Sequence, residues 1–177
     1  MEQTRISLRE ARPDDAAAIA GIFNHYVASS TVIFSNRIRT AAEMEQKIRD
    51  CLGRTPFLVA QNDGGRLLGY CYAHPWQPDE VYGRTLEVTI YLAHDTLGQG
   101  IGSRLLAELI GRCRALGCHT LLSAVTEGNA PCEALHRKLG FTRVACMKEV
   151  GFKFGRYLND VFYQLILPDE NPPAKAF

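Results

Sequence analysis

EVTIYLAHDTLGQGIGSRLL, running from Glu87 to Leu106, is the stretch whose reading decides the fold. It begins as an alternating strand, with Val88, Ile90 and Leu92 on one face and Thr89 and Tyr91 on the other. It then passes through Gly98-Gln99-Gly100-Ile101-Gly102 and leaves as an amphipathic helix, with Ile101, Leu105, Leu106, Leu109 and Ile110 in one apolar stripe. Strand, glycine loop and helix together bring several backbone N–H groups around an anion. Glycine lets the chain approach closely, and a helix N-terminus adds unpaired donors and partial positive charge. The expected occupant is a phosphorylated group.

Moving outward, the 177 residues suit one domain with a sizeable core, as does a hydrophobic content of 46%. A formal net charge of +1 gives no field that favours nucleic acid or an anionic membrane. Six cysteines show no metal-ligand spacing, so free, buried thiols in a reducing compartment are expected and no metal site is expected. A polar N-terminus and the lack of a bilayer-length apolar run point to a cytoplasmic protein.

Towards the N-terminus, Ile6–Glu10 alternates as a strand and Pro13-Asp14-Asp15 opens a helix that ends near Ser29. Thr31–Phe34 reads as strand or loop, and Thr40 with Glu43 forms a capping box for a helix running to about Cys51. Two strands, Pro56–Ala60 and Arg66–Tyr72, flank the turn Asn62-Asp63-Gly64-Gly65, and His74–Arg84 is a loop. Beyond the glycine helix come a strand at Thr120–Val125, a helix from Asn129 to Gly140, and strands around Thr142–Glu149 and Tyr157–Leu167. The order β-α-α-β-β-β-α-β-α-β-β describes a single α/β domain over residues 1–167 with a mixed sheet, and 168–177 reads as a disordered tail.

The glycine loop lacks the GxxxxGK[ST] pattern of a P-loop, and its GxGxG spacing after four strands does not suit a dinucleotide fold. A structural role, ending a strand and admitting a helix, also stays open for the glycines alone. The wider pattern is more specific. The Val88-x-Ile90-x-Leu92 strand, the loop, and an Asn129-led helix finishing Lys138-Leu139-Gly140-Phe141 resemble the Gcn5-related N-acetyltransferase superfamily. Asn24-His25-Tyr26, Ser30–Phe34, Pro75-Trp76, Thr85-Leu86-Glu87 and Gly151-x-Lys153-x-Gly155-Arg156-Tyr157 resemble its phosphinothricin and methionine sulfoximine acetyltransferase branch.

That resemblance implies a mostly antiparallel central sheet flanked by helices, acetyl-CoA as co-substrate, and a small-molecule amine as acceptor. It implies that Ile90, Tyr91 and Leu92 bind the pantetheine arm, that Gly98, Gln99, Gly100, Ile101, Gly102 and Ser103 cradle the pyrophosphate, and that Asn129 hydrogen-bonds the cofactor. Glu87 stands where the branch has its base; acetyl transfer to an ammonium requires that a proton be taken. A backbone N–H at or near Leu92 is the expected oxyanion donor. No Ser-His-Asp or Cys-His pattern is evident, which favours direct transfer over an acyl-enzyme. Phe34, Trp76, Tyr82, Arg84, Lys153 and Tyr157 are the expected acceptor pocket, and branch members commonly form homodimers. Two positions depart from the pattern. Leu97 stands where the family usually has Arg or Gln, and His136 stands where many relatives have a general-acid tyrosine. His136 reads equally as a surface histidine of its helix.

Overall fold

The computed structural model describes residues 5–168, so 169–177 of the expected tail lie outside the described residues. Eleven regular elements follow the expected order. They are β1 (Ile6–Glu10), α1 (Ala16–Ser29), α2 (Ala41–Cys51), β2 (Phe57–Asn62), β3 (Leu67–Pro75), β4 (Thr85–Leu92), α3 (Ile101–Ala115), β5 (Thr120–Thr126), α4 (Ala130–Lys138), β6 (Thr142–Lys153) and β7 (Arg156–Ile166). Thr31–Phe34, open at the sequence level, is irregular, and β3 runs three residues further than expected, to Pro75.

Local chemistry sets the boundaries. Thr40 caps α2 reciprocally: its Oγ1 accepts from the Glu43 N–H at 3.2 Å, and the Glu43 carboxylate accepts from the Thr40 N–H at 2.8 Å. The β2–β3 turn closes through Gly65 N–H to Asn62 O at 2.9 Å.

The seven strands lie in the order β1-β2-β3-β4-β5-β7-β6, all antiparallel except the β4–β5 pair. Alternation along the strands separates two cores. On one face, Leu105, Leu106 and Leu109 of α3 are fully buried against Leu58, Val88, Leu121 and Val161. On the other, Ile19 of α1 and Ile48 of α2 pack with Phe57, Val59 and Tyr70. Burying each such aliphatic side chain contributes about 1.5–3 kcal/mol, enough to hold both helical layers on the sheet. β4 takes part in both, with Ile90 and Leu92 against the α3 side and Tyr91 edge-on to Phe23 of α1 at 5.9 Å. All six cysteines are free; Cys51, Cys71, Cys113 and Cys118 are buried, whereas Cys132 and Cys146 are only partly so.

Candidate active site

The parallel β4–β5 ladder lasts three residues, from Thr85 opposite Thr120 to Glu87 opposite Leu122. Past that point β4 keeps its pairing with β3 as far as Leu92, and β5 keeps its pairing with β7 as far as Thr126. The two strands therefore part, and a wedge opens in the middle of the sheet. Trp76 N–H to Thr85 O and Ala93 N–H to Leu68 O put the odd-numbered positions of this segment on the β3 side. Antiparallel pairing alternates the direction of successive peptide groups, so the main chain of Ile90 and Leu92 faces the wedge. The Leu92 carbonyl accepts from the Tyr26 hydroxyl at 2.8 Å.

Glu87 sits at the root of the wedge, half-buried, on the sheet face opposite Leu86 and Val88. The cavity there, about 160 Å³, is also lined by Phe34, Ser123, Asn129, His136 and Asp160. An apolar groove of about 210 Å³ shares Val32, Ile90, Tyr91, Asn129 and Cys132 with this cavity and extends to Leu92, Leu97 and Leu135. The two are thus continuous along the β4 edge, and the groove runs towards the glycine loop.

That loop is anchored by the Thr96 hydroxyl, which donates within reach of both Leu68 O (3.0 Å) and Ala93 O (2.7 Å). Gly98 and Gly100 adopt left-handed φ of 79° and 75°, a conformation that carries the chain into α3 without a side chain over the turn. The first main-chain bond of α3 is Arg104 N–H to Gly100 O, so the N–H groups of Ile101, Gly102 and Ser103 head the helix without a preceding carbonyl. The Lys138 ammonium donates to Ser103 Oγ at 3.4 Å, placing a cation beside this helix end. A Cβ on Gly102 would lie 3.3 Å from Leu135 Cδ2 and 3.4 Å from Leu92 Cδ1. An apolar channel leading to a cationic, donor-rich helix N-terminus suits a thioester arm that ends in a pyrophosphate.

Asn129 caps α4, its Oδ1 accepting from Cys132 N–H at 3.4 Å while the residue lines both cavity and groove. His136 is not a surface residue: it is fully buried between Phe141 and Tyr163 and lines the wedge. Its Nδ1 lies 2.8 Å from the Cys132 carbonyl, which accepts the Nδ1 hydrogen and leaves Nε2 as the lone-pair nitrogen. Nε2 is buried without a hydrogen-bond partner among the described residues, and burial lowers the imidazole's pKa.

A Cys–His pair absent from the sequence reading lies here too, with Cys132 Sγ 3.6 Å from His136 Nδ1. It is not an activated nucleophile. Burial pushes the Cys132 thiol up to about 12, and Nδ1 is committed to a carbonyl.

Of the six residues expected to form the acceptor pocket, only Phe34 lines the wedge. Trp76 and Tyr82 pack edge to face at 5.2 Å in the loop beyond β3. Arg84 donates from Nε to Gly117 O at 3.1 Å, and Tyr157 packs on Phe152 at the far end of the β6–β7 hairpin. Lys153 is buried, its ammonium donating to Ile33 O at 3.0 Å, and desolvation lowers its pKa. Its position supports residues 31–34 from behind. Thr126 Oγ1 donates to Thr31 O at 2.8 Å on the same segment, and the Phe34 ring rests against Gly151, where a Cβ would stand 2.5 Å from Cε1.

Asp160, which the sequence reading missed, is half-buried in the wedge; burial first, and then the Glu87 charge, raise its carboxyl above the usual range. A lone acid inside an alternating strand carries no sequence signal.

Residues 19–141 match the model of the acetyltransferase (GNAT) family. A phosphinothricin N-acetyltransferase of Alcaligenes faecalis is 39% identical over 160 residues, 89% of this chain and 81% of its own. An L-methionine sulfoximine/L-methionine sulfone acetyltransferase of Pseudomonas paraeruginosa is 38% identical over 170 residues, 94% of this chain and 98% of its own. Among solved structures, a phosphinothricin acetyltransferase of Sinorhizobium meliloti in complex with acetyl-CoA superposes with a TM-score of 0.92 at 32% identity, covering 97% of this chain and 95% of that one.

Proposed function

The chain belongs to the acetyltransferase (GNAT) family, and from that premise we propose that it moves the acetyl group of acetyl-CoA to the amine of a small amino-acid analogue of the phosphinothricin, methionine sulfoximine or methionine sulfone type. One observation carries the reading: the apolar groove from the glycine loop and the wedge holding Glu87 share the β4 edge, so donor and acceptor meet at Ile90. Acetyl-CoA supplies the activated acyl group; the residues of the chain position it and manage protons. Gly98, Gln99, Gly100, Ile101, Gly102 and Ser103, with Lys138 beside them, receive the pyrophosphate. Ile90, Tyr91, Leu92 and Asn129 hold the pantetheine arm, and the main-chain N–H of Ile90 or Leu92 stabilises charge developing on the thioester oxygen.

Glu87 acts as general base on the acceptor ammonium, directly or through water, and the lone pair of His136 Nε2 accepts a second N–H of the acceptor. Direct attack, without an acyl-enzyme, is part of the proposal, and the raised pKa of the buried Cys132 thiol supports it. Trp76, Tyr82, Arg84 and Tyr157 do not line the wedge, so the proposal keeps Phe34 alone of the expected aromatic and basic residues in the acceptor pocket. A homodimer is part of the proposal. Val150, Phe152, Phe154 and Tyr157 expose apolar surface along the β6–β7 hairpin, a face suited to a second copy. The six free thiols suit a reducing compartment, the cytoplasm.

Thiol release from acetyl-CoA with a panel of amines tests this. Turnover of methionine sulfoximine, phosphinothricin or methionine sulfone is expected, together with a higher melting temperature in acetyl-CoA. Turnover of a polyamine alone overturns the acceptor class, and an unchanged melting temperature overturns the donor site.

A further inference from the structure

We propose that Asp160 is a specificity-determining residue that, with Glu87 and His136, receives the acceptor as an ammonium ion at the inner end of the wedge. This rests on the acetyl-transfer reading and adds to it which end of the acceptor enters first. Alternation places both carboxylates on one sheet face. Leu86 and Val88 flank Glu87 and point into the α3-side core, as do Val161 and Tyr163 beside Asp160, so Glu87 and Asp160 point the other way. Both line the same cavity, close enough that the Glu87 charge acts on Asp160.

The third group is independent of the acids. His136 lines that cavity, and its Nε2 is a buried lone pair with no partner among the described residues, its tautomer set by Cys132 O. Two carboxylates and an imidazole lone pair are all acceptors, and among the described residues no Lys or Arg side chain lines the cavity. A primary ammonium is the complement: one positive charge with three N–H donors. A carboxylate or phosphinate group would face the two acids there with no Lys or Arg side chain to pair it, so that end of the acceptor stays towards the mouth, near Phe34.

Steady-state kinetics of wild type and Asp160→Asn would be measured with two acceptors, methionine sulfoximine and n-butylamine, the second keeping the ammonium on an alkyl chain but lacking the carboxylate and sulfoximine. The variant is expected to raise KM for both acceptors at least tenfold, by more than it lowers kcat, with KM for acetyl-CoA unmoved. The melting temperature should hold or rise, because the amide removes the burial cost of a carboxylate. An unchanged KM for both, or a rise confined to methionine sulfoximine, overturns the assignment. Should the wild type turn over neither amine, the acceptor class proposed above fails, and Asp160 is then read by binding alone. n-Butylammonium chloride should stabilise the wild type against heat more than Asp160→Asn; equal stabilisation or none overturns the assignment.

Discussion

The two sides of the wedge are built differently. In the proposed reading, the donor side centres on the β4 edge, the loop at 98–100 and the start of α3, one contiguous stretch that works mainly through main-chain groups and left-handed glycines, with Asn129 and Lys138 added from α4 and its cap. The acceptor side is assembled from β4, β5, α4, β7 and the segment at 31–34, and works through single side chains such as Glu87, His136 and Asp160. A main-chain site survives the loss of a side chain, so Leu97 in place of a cation or amide is expected to weaken the donor side without removing it. A side-chain site turns on each group it contains.

The largest expected effect lies on the acceptor side. Glu87→Gln should lower kcat about 100-fold or more while the acetyl-CoA Kd stays put, since a positioned base is worth roughly 10²–10⁴ in rate. A variant that keeps most of its kcat would remove Glu87 as base.

On the donor side, Gly100→Ala puts a Cβ into a left-handed conformation at a cost of about 1–2 kcal/mol; an empty loop that relaxes to shed this strain must take it up again on binding, which weakens affinity by up to roughly 5- to 30-fold. Calorimetric titration should show that loss for acetyl-CoA, with acceptor KM nearly constant. Equal losses for donor and acceptor would erase the distinction between the two sides.

Gly151→Ala is expected to act indirectly. A Cβ there collides with the Phe34 ring and drives it towards the wedge, so acceptor KM should rise several-fold and acetyl-CoA affinity should not change. If both parameters hold, Phe34 is not a wall of the acceptor site.

The smallest change is a gain. Leu97 is 56% exposed, so Leu97→Arg costs the fold little and should tighten acetyl-CoA about two- to fivefold by adding a cation to pair with the bound pyrophosphate. Weaker binding would mean that the apolar groove needs Leu97 as a wall.

The same contrast explains what the sequence made legible. Element order, the α2 capping box and the stripe of α3 followed from periodicity and short-range chemistry, because each is fixed within a few residues. The donor loop shared that property. Asp160, the buried state of His136 and the contact between Phe34 and Gly151 depend on where β4 and β5 part and on the β6–β7 hairpin folding back over residues 31–34. No local pattern encodes those meetings. Lys153 illustrates the limit well: a lysine in the right motif reads as a substrate ligand, yet its ammonium holds the Ile33 carbonyl.

The most direct test of acetyl transfer at this wedge is mass spectrometry of the acceptor after incubation with the protein, acetyl-CoA and methionine sulfoximine. The expected result is one acetyl group on the amine, formed in step with free coenzyme A and nearly lost with Glu87→Gln. Coenzyme A released without acetylated acceptor, or acetylation that is undiminished in that variant, would contradict it.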